Sequence, residues 1–194
     1  MNGDCLFNAG RLFLIQKLHK MQLPETTTDN DLLSKITTFI NETGIACRAG
    51  KIPGSTFLPG VMIQNGCIIY DAMQLKHPGD LLHEAGHLAM LLAEHRAQAN
   101  GADNISGDLD AGAAEMGAIA WSWAAKEHLG IAPELLFHAE GYKGDSENMI
   151  NNFNSGRYFG VPILQWLGMT MDPDPRLLAK DNAYPKMIRW LRQG

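Results

Sequence analysis

The chain has 194 residues, the size of one compact domain, and its 45% hydrophobic content is enough to bury a core without disulfide or metal staples. A net charge of −5, with 16 basic residues scattered along the chain, leaves no basic stripe and argues against nucleic acid as a direct partner. No apolar run reaches bilayer length, and the short run at 12–15 is broken by Arg11, Gln16 and Lys17, so neither a membrane span nor a signal peptide is expected.

Residues 5–20 have helical periodicity, which Pro24 and the threonines at 26–28 interrupt. A second helix is predicted from about Asp31 to Glu42, capped by Asp29 or Asn30, ended by Gly44, with Leu32, Leu33, Ile36, Phe39 and Ile40 inward. The texture then changes to short apolar runs: 45–52, Val61 to Gln64, and Cys67 to Tyr70. Asn65-Gly66 joins the last two runs, a strong hairpin signal because a type I′ turn needs two positive φ angles. A small, mostly antiparallel sheet is therefore expected at 45–71. Cys5, Cys47 and Cys67 form no CxxC and leave one over, so reduced thiols in a cytoplasmic protein are expected.

From Pro78 onward the pattern is helical. One helix is predicted from Pro78 to about Ala99 and a loop follows at 100–108. Another helix runs from near Asp110 to Gly130, and shorter ones at 133–139, 146–154, 161–168 and 185–192.

The chemistry lies in His83-Glu84-Ala85-Gly86-His87, an HExxH motif. Histidines at i and i+4 leave one face of a helix a turn apart, so both imidazoles reach one tetrahedral zinc. Glu84 lies about 100° around the helix from His83, beside the ion, where a carboxylate takes a proton from a metal-activated water. Leu81, Leu82, Ala85, Leu88 and Ala89 surround the motif, so it is not on a plainly solvated face.

A catalytic zinc needs a third protein ligand. Glu115 is the best candidate: it is the only acidic residue between Asp110 and Glu127, and its neighbours Ala111 to Ala114, Gly117, Ala118 and Ala120 are small enough for two helix backbones to approach. Asp108 and Asp110 are alternatives, although an aspartate beside such a loop more commonly caps a helix. His95 lies too far along the helix, and His19, His77 and His128 carry no signal. An oxyanion-stabilising donor is expected among Tyr142, His138, Arg157 and Tyr158. Asn151, Asn152, Asn154 and Ser155 form a polar cluster that suits the border of a substrate groove.

The order of these parts resembles the ImmA/IrrE-type metallopeptidase domain. The resemblance rests on Leu58-Pro59-Gly60-Val61, Ile68-Ile69-Tyr70-Asp71, the HEAGH motif and Glu115-x-x-Ala118, and covers about residues 30–125. It implies a gluzincin: Zn2+ on His83, His87 and Glu115, with Glu84 as base. The expected fold is α+β and zincin-like, a single domain over 1–194 with its core at about 30–125 and a helical C-terminal extension at about 130–194. The expected function is a zinc metallopeptidase acting on a peptide or protein substrate. Members of that family often act on a repressor or accompany a helix-turn-helix protein; this chain shows no helix-turn-helix, so such a role needs a separate partner. The alternative is a non-catalytic metal-binding interaction or sensor protein, against which the presence of Glu84 argues.

Overall fold

The computed structural model describes residues 26–101, 107–171 and 183–193. The helix expected at 5–20, Cys5 and His19 lie outside the described residues. The chain divides into two compact units, 1–32 and 33–194; of the first, only the opening of a helix is described. No helix among the described residues is long and apolar enough to cross a membrane.

Helix α1 spans Thr26–Glu42 and buries Ile36, Phe39 and Ile40, while Leu32 and Leu33, also expected inward, are only half-buried. It starts before both expected caps, so Asp29 and Asn30 lie inside it. Threonine's helix propensity is at most about 0.7 kcal/mol below that of alanine, too little to stop a helix by itself. After Gly44 (φ 96°) the chain enters β1 (Cys47–Ala49), which the Asn41 side chain secures by donating to the Cys47 carbonyl (2.9 Å) and accepting from its N–H (3.0 Å).

Strands β2 (Val61–Gln64) and β3 (Cys67–Tyr70) form the expected antiparallel hairpin, with Asn65 (φ 49°) and Gly66 (φ 70°) in the turn. The sheet order is β1-β3-β2, and β1 pairs with β3 in parallel, Cys47 opposite Ile68. The expectation of a mostly antiparallel sheet is thus corrected to a mixed one. The chain leaving β1 passes β3's place to lay down β2 at the far edge, and the hairpin then returns β3 alongside β1. That crossing is held by Asp71, which accepts from Ile52 N–H (3.2 Å) and from the Gln74 amide (2.9 Å).

Helix α2 (Asp80–Met90) carries the HExxH motif. Where the sequence predicts one helix to about Ala99, α2 ends at Met90, Leu91 is extended, and a single turn, α3 (Ala93–Arg96), follows. The Arg96 guanidinium accounts for the stop: it donates to the Leu88 (2.8 Å) and Leu91 (2.7 Å) carbonyls at the helix end.

Helix α4 (Ala111–Leu129) has both predicted ends. Asp110 accepts from Ala113 N–H (3.0 Å) as its N-cap, and Gly130 closes it at φ 62°. Short helices follow: α5 (Pro133–Leu136), α6 (Ser146–Asn154) and α7 (Val161–Trp166). The structure is therefore α+β, with three strands and seven helices among the described residues.

The helix expected at 185–192 is absent. Residues 183–193 form turns and bends instead: Lys186 N–H donates back to Ala183 O (3.0 Å), isolated bridges join Thr170 to Met187 and Met171 to Ala183, and Ile188 N–H donates to Met169 O and Arg192 N–H to Ala89 O (2.9 Å each). Trp190 stands edge-on to Phe39 and Trp121, and its carbonyl accepts from Trp121 Nε1 (3.0 Å). Tertiary partners supply backbone bonds that a helix would have made, and the aromatic contacts favour this irregular path.

Helices α2 and α4 meet where Gly86 faces Ala118. A Cβ on Gly86 would lie 2.8 Å from the Ala118 carbonyl oxygen and 3.0 Å from its Cα. Because backbone cannot step aside as a side chain can, Gly86→Val should destabilise the metal-free protein by about 1–3 kcal/mol in urea unfolding. An unchanged midpoint would mean that the helices are not closely packed there.

Candidate metal centre

The close approach of α2 and α4 brings three side chains together. His83 and His87 project from α2 one turn apart, with Nε2 atoms 3.1 Å from each other. Glu115 reaches across from α4: Oε1 lies 3.5 Å from His83 Nε2 and Oε2 3.3 Å from His87 Nε2. A tetrahedral zinc with bonds of about 2.0–2.2 Å sets its donors ~3.3–3.6 Å apart; the two histidine–glutamate distances fall in that range and the histidine–histidine distance slightly below it, close enough for the three donors to surround one ion. Among the described residues no other group of His, Cys, Asp or Glu comes together in this way. Both Nδ1 atoms, on the far side of each ring, are buried without a hydrogen-bond partner among the described residues.

The two carboxylates of the site are in opposite electrostatic states. Glu115 is half exposed (51%) and is held well below the ordinary glutamate range by hydrogen bonds from His83 and His87. Glu84 is 8% exposed, and burial raises its pKa, outweighing the two histidines that pull it down. Burial also lowers the His83 pKa, but the Glu115 hydrogen bond and charge, followed by the charges of Glu84 and Asp80, more than reverse this and leave it raised. Glu84 also lines a cavity of about 120 Å³ beneath edge strand β2, with Phe57, Leu58, Val61 and Ile63 among its walls. That volume, well under the few hundred Å³ of a cofactor pocket, holds one side chain.

The other candidates separate clearly. Asp110 is spent on the helix cap, and Asp108 forms a two-point ion pair with Arg192, one arm of which is 2.9 Å. Neither joins the three donors. His95 is exposed on α3 and no longer on the motif's helix. His128 packs among Phe39 and Trp190. Arg157 donates to Asn152 Oδ1 (3.0 Å), Tyr158 packs tilted against Phe153 and edge-on to Tyr184, and Asn151 and Asn154 occupy α6. Tyr142 and His138 do approach the centre: the Tyr142 ring lies edge-on to His83 at 6.1 Å, and His138 Nε2 lies 3.0 Å from Asp80 Oδ1.

Sequence reasoning misses the Asp80–His138 pair and the His77 ring stacked on His138 at 3.6 Å, itself 3.4 Å from Glu140. Asp80 did offer a signal, an acidic residue one turn before His83 in an apolar helix. Its partner 58 positions away did not.

The charge states give a pH signature in the metal-free protein. The depressed Glu115 pKa contributes stability that is present above glutamate's ordinary 4.5 and lost as pH falls through the folded value. The raised His83 pKa contributes stability that is present below histidine's ordinary 6.5 and lost as pH rises through the folded value. The stability difference between wild type and Glu115→Gln should therefore peak between about pH 4.5 and 6.5 and shrink on both sides. Urea unfolding of both proteins without metal from pH 3 to 9 checks this, and a difference independent of pH would contradict the pairing.

No protein-family model, no curated protein and no solved structure matches this chain.

Proposed function

We propose that this chain is a zinc-dependent hydrolase of the gluzincin type, a peptidase in which His83, His87 and Glu115 hold the ion and Glu84 is the general base. The observation that carries this reading is the convergence of three donors from two helices at the spacing of a tetrahedral ion. Three protein donors, with no fourth among the described residues, suit a catalytic site, whereas a structural zinc site closes with four. A bound zinc supplies a Lewis acid that polarises a carbonyl and lowers the pKa of water towards neutrality.

The protein's own groups account for the rest. Glu84, buried and with a raised proton affinity, takes the proton of the attacking water and returns it to the departing amine nitrogen. The cavity beside it offers an apolar slot for one side chain of the substrate. Strand β2 is an edge strand, against which an extended peptide can lie. The sheet, the motif helix and the ligand helix together support a zincin-like fold and the similarity to the ImmA/IrrE-type domain. Ala118, in the Glu115-x-x-Ala118 pattern, is the residue that faces Gly86. The free thiols of Cys47 and Cys67 suit a reducing compartment.

Purified protein should take up about one zinc per chain by elemental analysis. His83→Ala and His87→Ala should each abolish this, and Glu115→Ala should weaken it beyond the ~10–100-fold of an outer-shell change. Asp108→Ala and Asp110→Ala should leave zinc affinity intact. A wild-type chain that stays metal-free in excess zinc would sink the reading.

Glu84→Gln should keep the zinc and lose about 10²–10⁴-fold in turnover of a quenched-fluorescent peptide library, because a carboxamide accepts no proton. Full activity in that variant at matched zinc content would remove Glu84 as base. Zinc binding with no turnover by the wild type would favour a metal sensor instead.

A further inference from the structure

Strand β2 is an outer strand of the sheet, and its hydrogen-bonding groups alternate between β3 and the free edge. The hairpin register pairs Gln64 with Cys67 across the turn and Met62 with Ile69, and Gly60 O accepts from Asp71 N–H (2.9 Å). The backbone groups of residues 60, 62 and 64 therefore point at β3, and those of Val61 and Ile63 point outward.

Half of that edge is already occupied from within the chain. Val61 N–H donates to Leu58 O (3.1 Å), and Ile63 O accepts from Gly101 N–H (3.0 Å). Val61 O and Ile63 N–H have no hydrogen-bond partner among the described residues.

This pattern of free groups is directional. An antiparallel partner exchanges both bonds with one residue, and Val61 and Ile63 each have only one group left. An antiparallel peptide would bring an N–H against the occupied Ile63 O and a C=O against the occupied Val61 N–H, leaving both unsatisfied. A parallel partner instead uses the C=O of one residue and the N–H of the residue two further on. Val61 O and Ile63 N–H are such a set, with Met62 between them. The parallel ladder cannot lengthen in either direction. Towards the turn the next place needs Ile63 O and Asn65 N–H, and the latter donates to Asn100 Oδ1 (3.0 Å). In the other direction it needs the occupied Val61 N–H.

The cavity beside Glu84 stands at the same gap. Its walls include Leu58 and Gly101, whose backbones close the edge on either side, and Val61, Met62 and Ile63 between them. We infer that the chain holds an extended peptide substrate through the main chain of one residue, running parallel to β2 opposite Met62, with its N–H donating to Val61 O and its C=O accepting from Ile63 N–H. The inference rests on the zinc-peptidase reading and gives the direction in which the substrate lies. One pair of main-chain bonds adds little affinity, which leaves selection to the side chains that enter the apolar slot.

The test takes a peptide that the zinc-loaded wild type cleaves and measures its binding to zinc-loaded Glu84→Gln. Two series of analogues alter one amide at a time, leaving the scissile one intact: an ester oxygen replaces an N–H, or a thioamide weakens a C=O as acceptor. One and the same residue should prove sensitive in both series, each change weakening binding about two- to tenfold, the effect of one neutral hydrogen bond. Binding of the parent peptide should also protect the Ile63 amide from hydrogen exchange, whereas the Met62 and Gln64 amides are protected beforehand by β3. A sensitive N–H and a sensitive C=O on residues two apart would mean antiparallel pairing, and sensitivity alternating along the peptide would mean a longer ladder. Either result, or an Ile63 amide whose exchange does not change, overturns the inference and leaves the peptidase reading standing. A zinc-loaded wild type that cleaves no peptide overturns both.

Discussion

The contact between α2 and α4 at Gly86 and Ala118 is the constraint on which the rest of the site depends. A glutamate has two methylenes with which to cross from one helix to donors on another, so the two backbones must come within van der Waals reach. Glycine at 86 allows this, because any Cβ there would strike the Ala118 backbone. Such small residues bury little apolar area, so the site face of α4 contributes little hydrophobic stabilisation. Elsewhere α4 is buried too, and there it carries Trp121 and Trp123, which with Phe137 and Phe153 form the fully buried aromatic core. One helix thus meets two demands, close approach at the candidate metal centre and bulk packing beyond it.

The same geometry separates two glutamates into different chemical states. Glu115 faces two imidazoles at the open side and stays ionised, and Glu84 is enclosed by apolar groups and holds a proton more tightly. Residues of one type, tens of positions apart, acquire distinct aptitudes from burial and neighbours alone.

What could be read from the sequence was local. The histidine spacing, the Asn65-Gly66 turn, the Asp110 cap and the Gly130 stop are each fixed by a few adjacent residues, and the structure has all of them. Glu115 was readable because small residues flank it. The failures were long-range. The parallel β1–β3 pairing depends on where an eleven-residue connection crosses, the end of α2 on the Arg96 side chain folding back, and the irregular path of 183–193 on partners far earlier in the chain. The periodicity at 185–192 was real, but apolar residues bound for separate tertiary contacts can mimic a helical stripe.

The 183–193 segment bears on how the molecule is assembled during synthesis. Its Arg192 contacts the carbonyl of Met90, 102 positions earlier, at the end of the motif helix, and Trp190 fills a gap beside Phe39 and Trp121. A chain leaving the ribosome at about 5–20 residues per second makes the motif helix several seconds before the segment that secures its end. During that interval the Phe39–Trp121 surface lacks its cover and the last carbonyls of α2 lack one of their donors. Contacts of such sequence separation slow the closure, so the nascent chain presents an apolar surface that a chaperone can bind until residues 183–193 emerge.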